Sequence, residues 1–147
     1  MKRKYIYILL VACWLGGISI SCTEDIPACP SKMCVVAGGW QLTEVYIDDV
    51  KDNSDLSLYR LVLIEPAPVT ATTSGFTRVQ PSGGTDQGSW SIINGESILR
   101  LIPNDDPVFT EDWIIETFTP RQLVLVINRD TGIKQGPSKI RFVLEPI

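Results

Sequence analysis

The sequence predicts an all-β protein, a single eight-stranded antiparallel up-and-down barrel carried behind an N-terminal leader. Three observations predict it. From Gly38 to the end, short apolar segments alternate with clusters of Gly, Pro, Asn, Asp and Ser. No segment there keeps the 3.6-residue period of a helix over several turns. The connections are short, and two are tight-turn signals, Asn94-Gly95 and Pro120-Arg121.

The leader comes first. Met1-Lys2-Arg3-Lys4 is a basic start, Tyr5 to Leu15 is apolar almost throughout, and Gly16, Gly17, Ser19 and Ser21 are small. That is the layout of a secretory signal peptide over residues 1–21. A membrane span needs ~20 apolar residues, so this run is short for one. The other reading is an uncleaved anchor helix. Both put the rest of the chain outside the cytoplasm.

"ISIS" followed by Cys22 resembles the lipobox of bacterial lipoproteins, with Ser19 where that family usually has Leu. The resemblance implies that Cys22 is acylated and becomes the first residue of the mature chain. Two or more acyl chains anchor a protein stably where one does not. Thr23 after the cysteine resembles lipoproteins sent to the outer membrane, and Glu24-Asp25 resembles a surface-export signal. The expected address is therefore an outer-membrane lipoprotein facing the periplasm or the cell surface.

Residues 22–37 form the expected tether. Cys29 and Cys34 stand five positions apart in "ACPSKMC". An oxidising compartment favours a disulfide between them, and two free thiols are the alternative. The sequence holds no histidine, and a structural zinc site wants four N or S ligands. No metal and no cofactor are expected.

Residues 38–147 form the expected barrel domain. Removing residues 1–21 leaves ten basic residues against seventeen acidic ones, a charge of −7. Such a body repels nucleic acid and anionic lipid. The expected strands are Trp40–Ile47, Leu58–Glu65, Phe76–Gln80, Ser89–Ile93, Ser97–Ile102, Trp113–Thr119, Gln122–Asn128 and Ser138–Leu144. Eight strands with even spacing suit a closed meander, which removes sheet edges. Its interior is either filled or holds one small ligand.

"GGWQLTEVYIDD" looks like the first strand of a lipocalin, whose fingerprint G-x-W is here Gly38-Gly39-Trp40. "GTDQGSWSIINGESILRLIP" and "WIIETFTPRQLVLVIN" are similar to the second half of small lipocalin-like lipoproteins of Gram-negative bacteria. The resemblance spans residues 38–147. It implies an eight-stranded barrel and often a hydrophobic ligand. It also implies that Trp40 packs at the closed barrel end against a late-strand arginine, for which Arg141 is the candidate.

Several strands are apolar on both faces yet carry one charge. Arg60 shares a row with Leu58 and Val62, Arg100 lies between Ile98 and Ile102, Glu116 lies between Ile114 and Phe118, and Glu44 follows Trp40 and Leu42. Facing inward, these four would orient a ligand's polar head. In the opposite reading, Leu61/Leu63, Leu99/Leu101 and Trp113/Ile115 face inward and the charges meet solvent. The second is favoured because unpaired buried charge is costly.

Without histidine, no Ser-His-Asp or Cys-His arrangement is possible. The acid-rich "DDVKDNSD" lacks the central Gly and terminal Glu of a calcium loop and reads as a solvated hairpin. Catalysis is not expected. Two function classes remain: a lipoprotein that binds a small apolar molecule, and an interaction protein with a filled barrel that docks to another envelope protein.

Overall fold

The structure, a computed structural model, describes residues 31–68, 70–129 and 136–147. The leader, Cys22 and the Cys29 half of the expected disulfide lie outside these residues. So does most of the loop before the last strand.

A helix α1 (Lys32–Val36) precedes nine strands: β1 (Gly38–Ile47), β2 (Val50–Asp52), β3 (Arg60–Leu63), β4 (Ser74–Val79), β5 (Thr85–Ile93), β6 (Ile98–Pro103), β7 (Glu111–Thr119), β8 (Gln122–Arg129) and β9 (Ser138–Pro146). All eight expected strands are present. The addition is β2, which folds back on the end of β1 through a two-residue turn at Asp48-Asp49. Both aspartates adopt positive φ, 52° and 65°. Tight hairpins need that backbone, and Asp tolerates it better than most residues.

The sheet runs from β1 through β3 to β9 as an antiparallel meander and closes where β9 pairs with β1. The ring contains β1 and β3–β9, eight strands, with β2 attached outside. One edge of β1 serves two partners: Gly38–Gln41 pair with β3, and Val45–Ile47 pair with β2. Its other edge pairs with β9 along most of its length.

Alternation along each strand fills the interior. Leu61 and Leu63, Leu99 and Leu101, Leu123 and Leu125, Phe76, Trp90, Trp113 and Leu144 all point inward and are buried. Bulky side chains from every ring strand meet there, so the bore is a packed core. Gly88 is part of that packing. A Cβ at this position would stand 2.1 Å from the Ile102 carbonyl oxygen and 2.7 Å from the Phe76 ring. Phe76 lies inside because its β5 neighbour has no side chain.

One end of the barrel is closed by α1, which lies in the stretch expected to be tether. Met33 and Val36 are buried in the same core as Trp40. Trp40 is 4% exposed. Its indole N–H donates to the Val36 carbonyl at 2.9 Å, and its ring meets Phe118 edge-on at 6.2 Å. The tryptophan lies at the closed end with a helix carbonyl as its polar partner.

Two β-bulges set which charges face out. The register of β1 against β9 shifts between Leu42 and Glu44, and that of β7 against β8 shifts between Ile115 and Thr117. A bulge adds one residue and reverses the alternation beyond it. Leu42 and Val45 thus both face the core, and Glu44 is turned outward. In β7 the inward row is Trp113, Ile115 and Phe118, and Glu116 bulges out.

Candidate functional site

The open end of the barrel lies opposite α1. Four of the strands that reach it carry a polar residue two positions along from an inward-facing one. Arg78 follows Phe76 in β4, and Asp86 precedes Gly88 in β5. Glu111 precedes Trp113 in β7, and Arg129 follows Ile127 in β8. Strand register makes Arg78 and Asp86 direct cross-strand neighbours. Glu111 is reached across the bore.

These groups form one ion network. The Arg78 guanidinium donates to Glu111 at 2.7 Å and places two N–H groups on one Asp86 oxygen, at 3.1 and 2.7 Å. Gln80 donates to the same Asp86 oxygen at 2.7 Å. The Trp113 indole donates to Glu111 at 2.9 Å, and Arg129 donates to the other Glu111 oxygen at 2.7 Å. Arg78 and Glu111 are 6% and 8% exposed, so the central pair is desolvated. The Phe142 ring meets Tyr59 edge-on and Trp113 at a tilt, at centroid distances of 5.5 and 4.7 Å.

The ionisation of the network follows from its geometry. Burial alone would push Glu111 up. The Arg78 charge, with hydrogen bonds from Arg129, Arg78 and Trp113, outweighs burial and holds its carboxyl below the usual range. Asp86 follows the same pattern: desolvation opposes, and bonds from Arg78 and Gln80 prevail. Burial would favour the neutral form of Arg78, and Glu111 reverses that, so the guanidinium stays charged. Tyr59 is pushed up to about 12, chiefly by burial, and is a neutral phenol at neutral pH.

Above this floor is a cleft of about 640 Å³. Arg78, Asp86, Glu111 and Arg129 line it on the barrel side, and the β6–β7 connection lines the other. That connection contains a 3-10 turn, Pro107–Phe109, capped by Asp106, whose carboxylate accepts from the Val108 amide at 3.1 Å. The turn presents Val108 and Phe109 to solvent at 87% and 69% exposure. Fixed polar groups at the base and an apolar flank are what a small-molecule site requires.

The residues singled out in the sequence lie elsewhere. Arg141 does not pack on Trp40. In the β1–β9 ladder Trp40 faces Pro146, whereas Arg141 faces Tyr46, several residues along the barrel wall. Its guanidinium donates to Glu116 and stands 5.5 Å from the Tyr46 ring centroid. Glu44 accepts from Tyr46 at 2.8 Å and from Lys51 at 2.6 Å. Three of the residues considered for the site thus join one network on the outer wall. Beneath it, the outward-facing Val124, Val126 and Val143 are almost fully buried. They are the cross-strand neighbours of Thr117, Arg141 and Glu44. Long polar side chains cover the apolar outer face of "QLVLVIN".

Arg60 is exposed and donates to Gln41 at 3.1 Å, and Arg100 forms a two-bond pair with Asp112 at 2.7 and 2.6 Å on the outside. None of Arg60, Arg100, Glu116 and Glu44 enters the bore. The sequence reading missed Arg78, Asp86, Glu111 and Arg129. Their signal was present: each continues an inward row toward the open end. Starting β5 at Ser89, starting β7 at Trp113 and ending β8 at Asn128 cut three of them off.

No family model matches the chain, and no curated protein does so at significance. Two solved structures resemble it. One is a lipocalin-like protein from Bacteroides uniformis, 12% identical, with a TM-score of 0.47 over 77% of this chain and 99% of that one. The other is an uncharacterized protein from Bacteroides eggerthii, 11% identical, with a TM-score of 0.47 over 76% of this chain and 98% of that one. The closed barrel itself is established by the β1–β9 pairing.

Proposed function

We propose that the protein is a non-catalytic, lipocalin-like envelope lipoprotein that holds one small, largely apolar molecule at the open end of its barrel. The observation that carries this reading is the buried Arg78–Glu111 pair at the base of a cleft flanked by Val108 and Phe109. A buried ion pair is poor evidence for a stability role, because apolar residues of similar volume are often as stable or more so. At the floor of a cleft the pair has a second use: it fixes polar atoms where a ligand's head would rest. The filled bore confines the ligand to the mouth.

The leader and Cys22 support an acylated N-terminus that tethers the barrel to the outer membrane. Replacing Cys22 with Ser releases the protein from the membrane fraction if that anchor is real; unchanged partition contradicts it. Ligand binding is tested by native mass spectrometry of the protein purified from its own envelope. The expected result is a bound species of a few hundred daltons, a size set by the ~300–1,000 Å³ of small-molecule sites. That species disappears in a Val108→Asp/Phe109→Asp variant. Its absence from the unaltered protein, or its persistence in the variant, contradicts the reading. The packed interior favours one second reading, docking to another envelope protein, which would appear as a stoichiometric protein partner with no small adduct.

A further inference from the structure

We infer that the cleft selects a small amphiphile with a cationic head, such as an alkyl amine or a quaternary ammonium, over one with a carboxylate or phosphate head. This rests on the proposal that the open end is the binding site, and it names the chemistry that the site would take.

The lining contains two arginines, and carboxylates engage both. Arg78 is bound by Glu111 on one side and Asp86 on the other, and Arg129 is bound by Glu111. An anionic head entering the cleft would have to displace one of these charge-assisted bonds. The same lining contains four acids, Asp86, Asp105, Asp106 and Glu111, an excess of two negative charges over the arginines. Asp105 makes no hydrogen bond or ion pair among the described residues. Asp106 uses one carboxylate oxygen to cap the turn. A cation would therefore find unspent acceptors at the rim.

The apolar part of the site lies on the same short segment. Val108 and Phe109 follow the two aspartates after the single residue Pro107 and are exposed. An alkyl chain gains by covering them, and an aromatic face also attracts a neighbouring ammonium. Acid and apolar groups on one turn match an amphiphile in which the cationic head and the chain are adjacent.

The test uses the full-length protein and three probes with the same ten-carbon chain: decyltrimethylammonium, decanoate and decanol, each below its micelle concentration. Binding is followed by tryptophan fluorescence, because Trp113 bonds to the floor carboxylate. The expected order is ammonium tightest, by about tenfold over decanoate at low salt, with the gap narrowing as salt rises. An Asp105→Asn/Asp106→Asn variant, in which Asn still caps the turn, brings the ammonium within about threefold of decanol. Decanol binding is unchanged. Glu65→Gln, an exposed acid outside the cleft, leaves the order as it was. Decanoate binding as tightly as the ammonium overturns the head-group inference while leaving the site in place. An ammonium preference that survives the double variant also overturns it. No binding by any of the three overturns the site and the inference together.

Discussion

At the scale of single residues, the chain assigns different work to two arginines. Arg141 sits on the outer wall, about a third exposed, in an ion pair with Glu116. Surface pairs of this kind contribute about 0–1 kcal/mol. Trp40 seals the closed end with its ring in the core and its N–H on a helix carbonyl. Trp40→Ala is expected to destabilise by about 3–5 kcal/mol, and Arg141→Ala by less than about 1 kcal/mol. Urea denaturation of the two variants checks this; equal losses would mean that Arg141 supports the seal after all. Arg78 is a buried cation, and its partners decide its cost. Glu111→Gln leaves Arg78 with Asp86 alone and removes the charge facing Arg129, at an expected cost of about 3 kcal/mol.

The same network predicts an acid limb of stability. Glu111 and Asp86 both have carboxyls held below their ordinary values, 4.5 and 3.8. The unfolded chain therefore takes up protons first as pH falls. Their stabilisation is complete above the unfolded values and is lost as pH drops through the folded ones. Melting temperatures measured downward from about pH 5 are expected to fall steeply in the unaltered protein and less steeply in Glu111→Gln. Parallel curves would show that Glu111 titrates alike in the folded and unfolded chains.

At the scale of elements, the two bulges explain what was legible in the sequence. Strands without a bulge were readable by alternation: the row of Leu61 and Leu63 and the row of Leu99 and Leu101 face inward, and Arg60 and Arg100 face out. Strands with a bulge were not. A period of two puts Glu44 in the row of Trp40, and Glu116 in the row of Phe118, and both placements fail because the extra residue reverses the row. Nothing in "LTEV" or "IIETF" marks that residue, since neither stretch has the glycine that favours some bulges. The ion network was hidden for a different reason. Arg78 and Asp86 meet within the β4–β5 pairing, but Glu111 and Arg129 lie far from them in sequence and join them only across the closed barrel.

The β7 bulge gives a deletion there the opposite outcome from one in a regular strand. Deleting a residue within a strand turns every later side chain to the other face. Deleting Glu116 removes the extra residue of β7 instead, so Phe118 stays inward and the loss is a surface pair and some local twist. That variant is expected to keep the native near-ultraviolet circular dichroism. Deleting Arg100 from the regular β6 must turn Leu99 or Leu101 outward and is expected to abolish the folded signal. Loss of the native spectrum on deletion of Glu116 would show that the bulge is structurally required.

At the scale of the whole molecule, closure divides the barrel into two unlike ends. One is sealed by α1, Trp40 and Phe118. The other ends in charge and opens beneath the Pro107–Phe109 turn. The leucines, Phe76 and Trp90 between them leave the bore to packing. The helix α1 lies at the sealed end, opposite the mouth. The central claim is that the protein meets its ligand at this mouth and not inside the bore. Amide chemical-shift mapping of the full-length protein on addition of decyltrimethylammonium tests it most directly. The account predicts shifts gathered at Arg78, Asp105 to Glu111 and Arg129, with Leu61, Leu99 and Leu123 unmoved. Shifts centred on those three leucines, or none at the mouth, would contradict it.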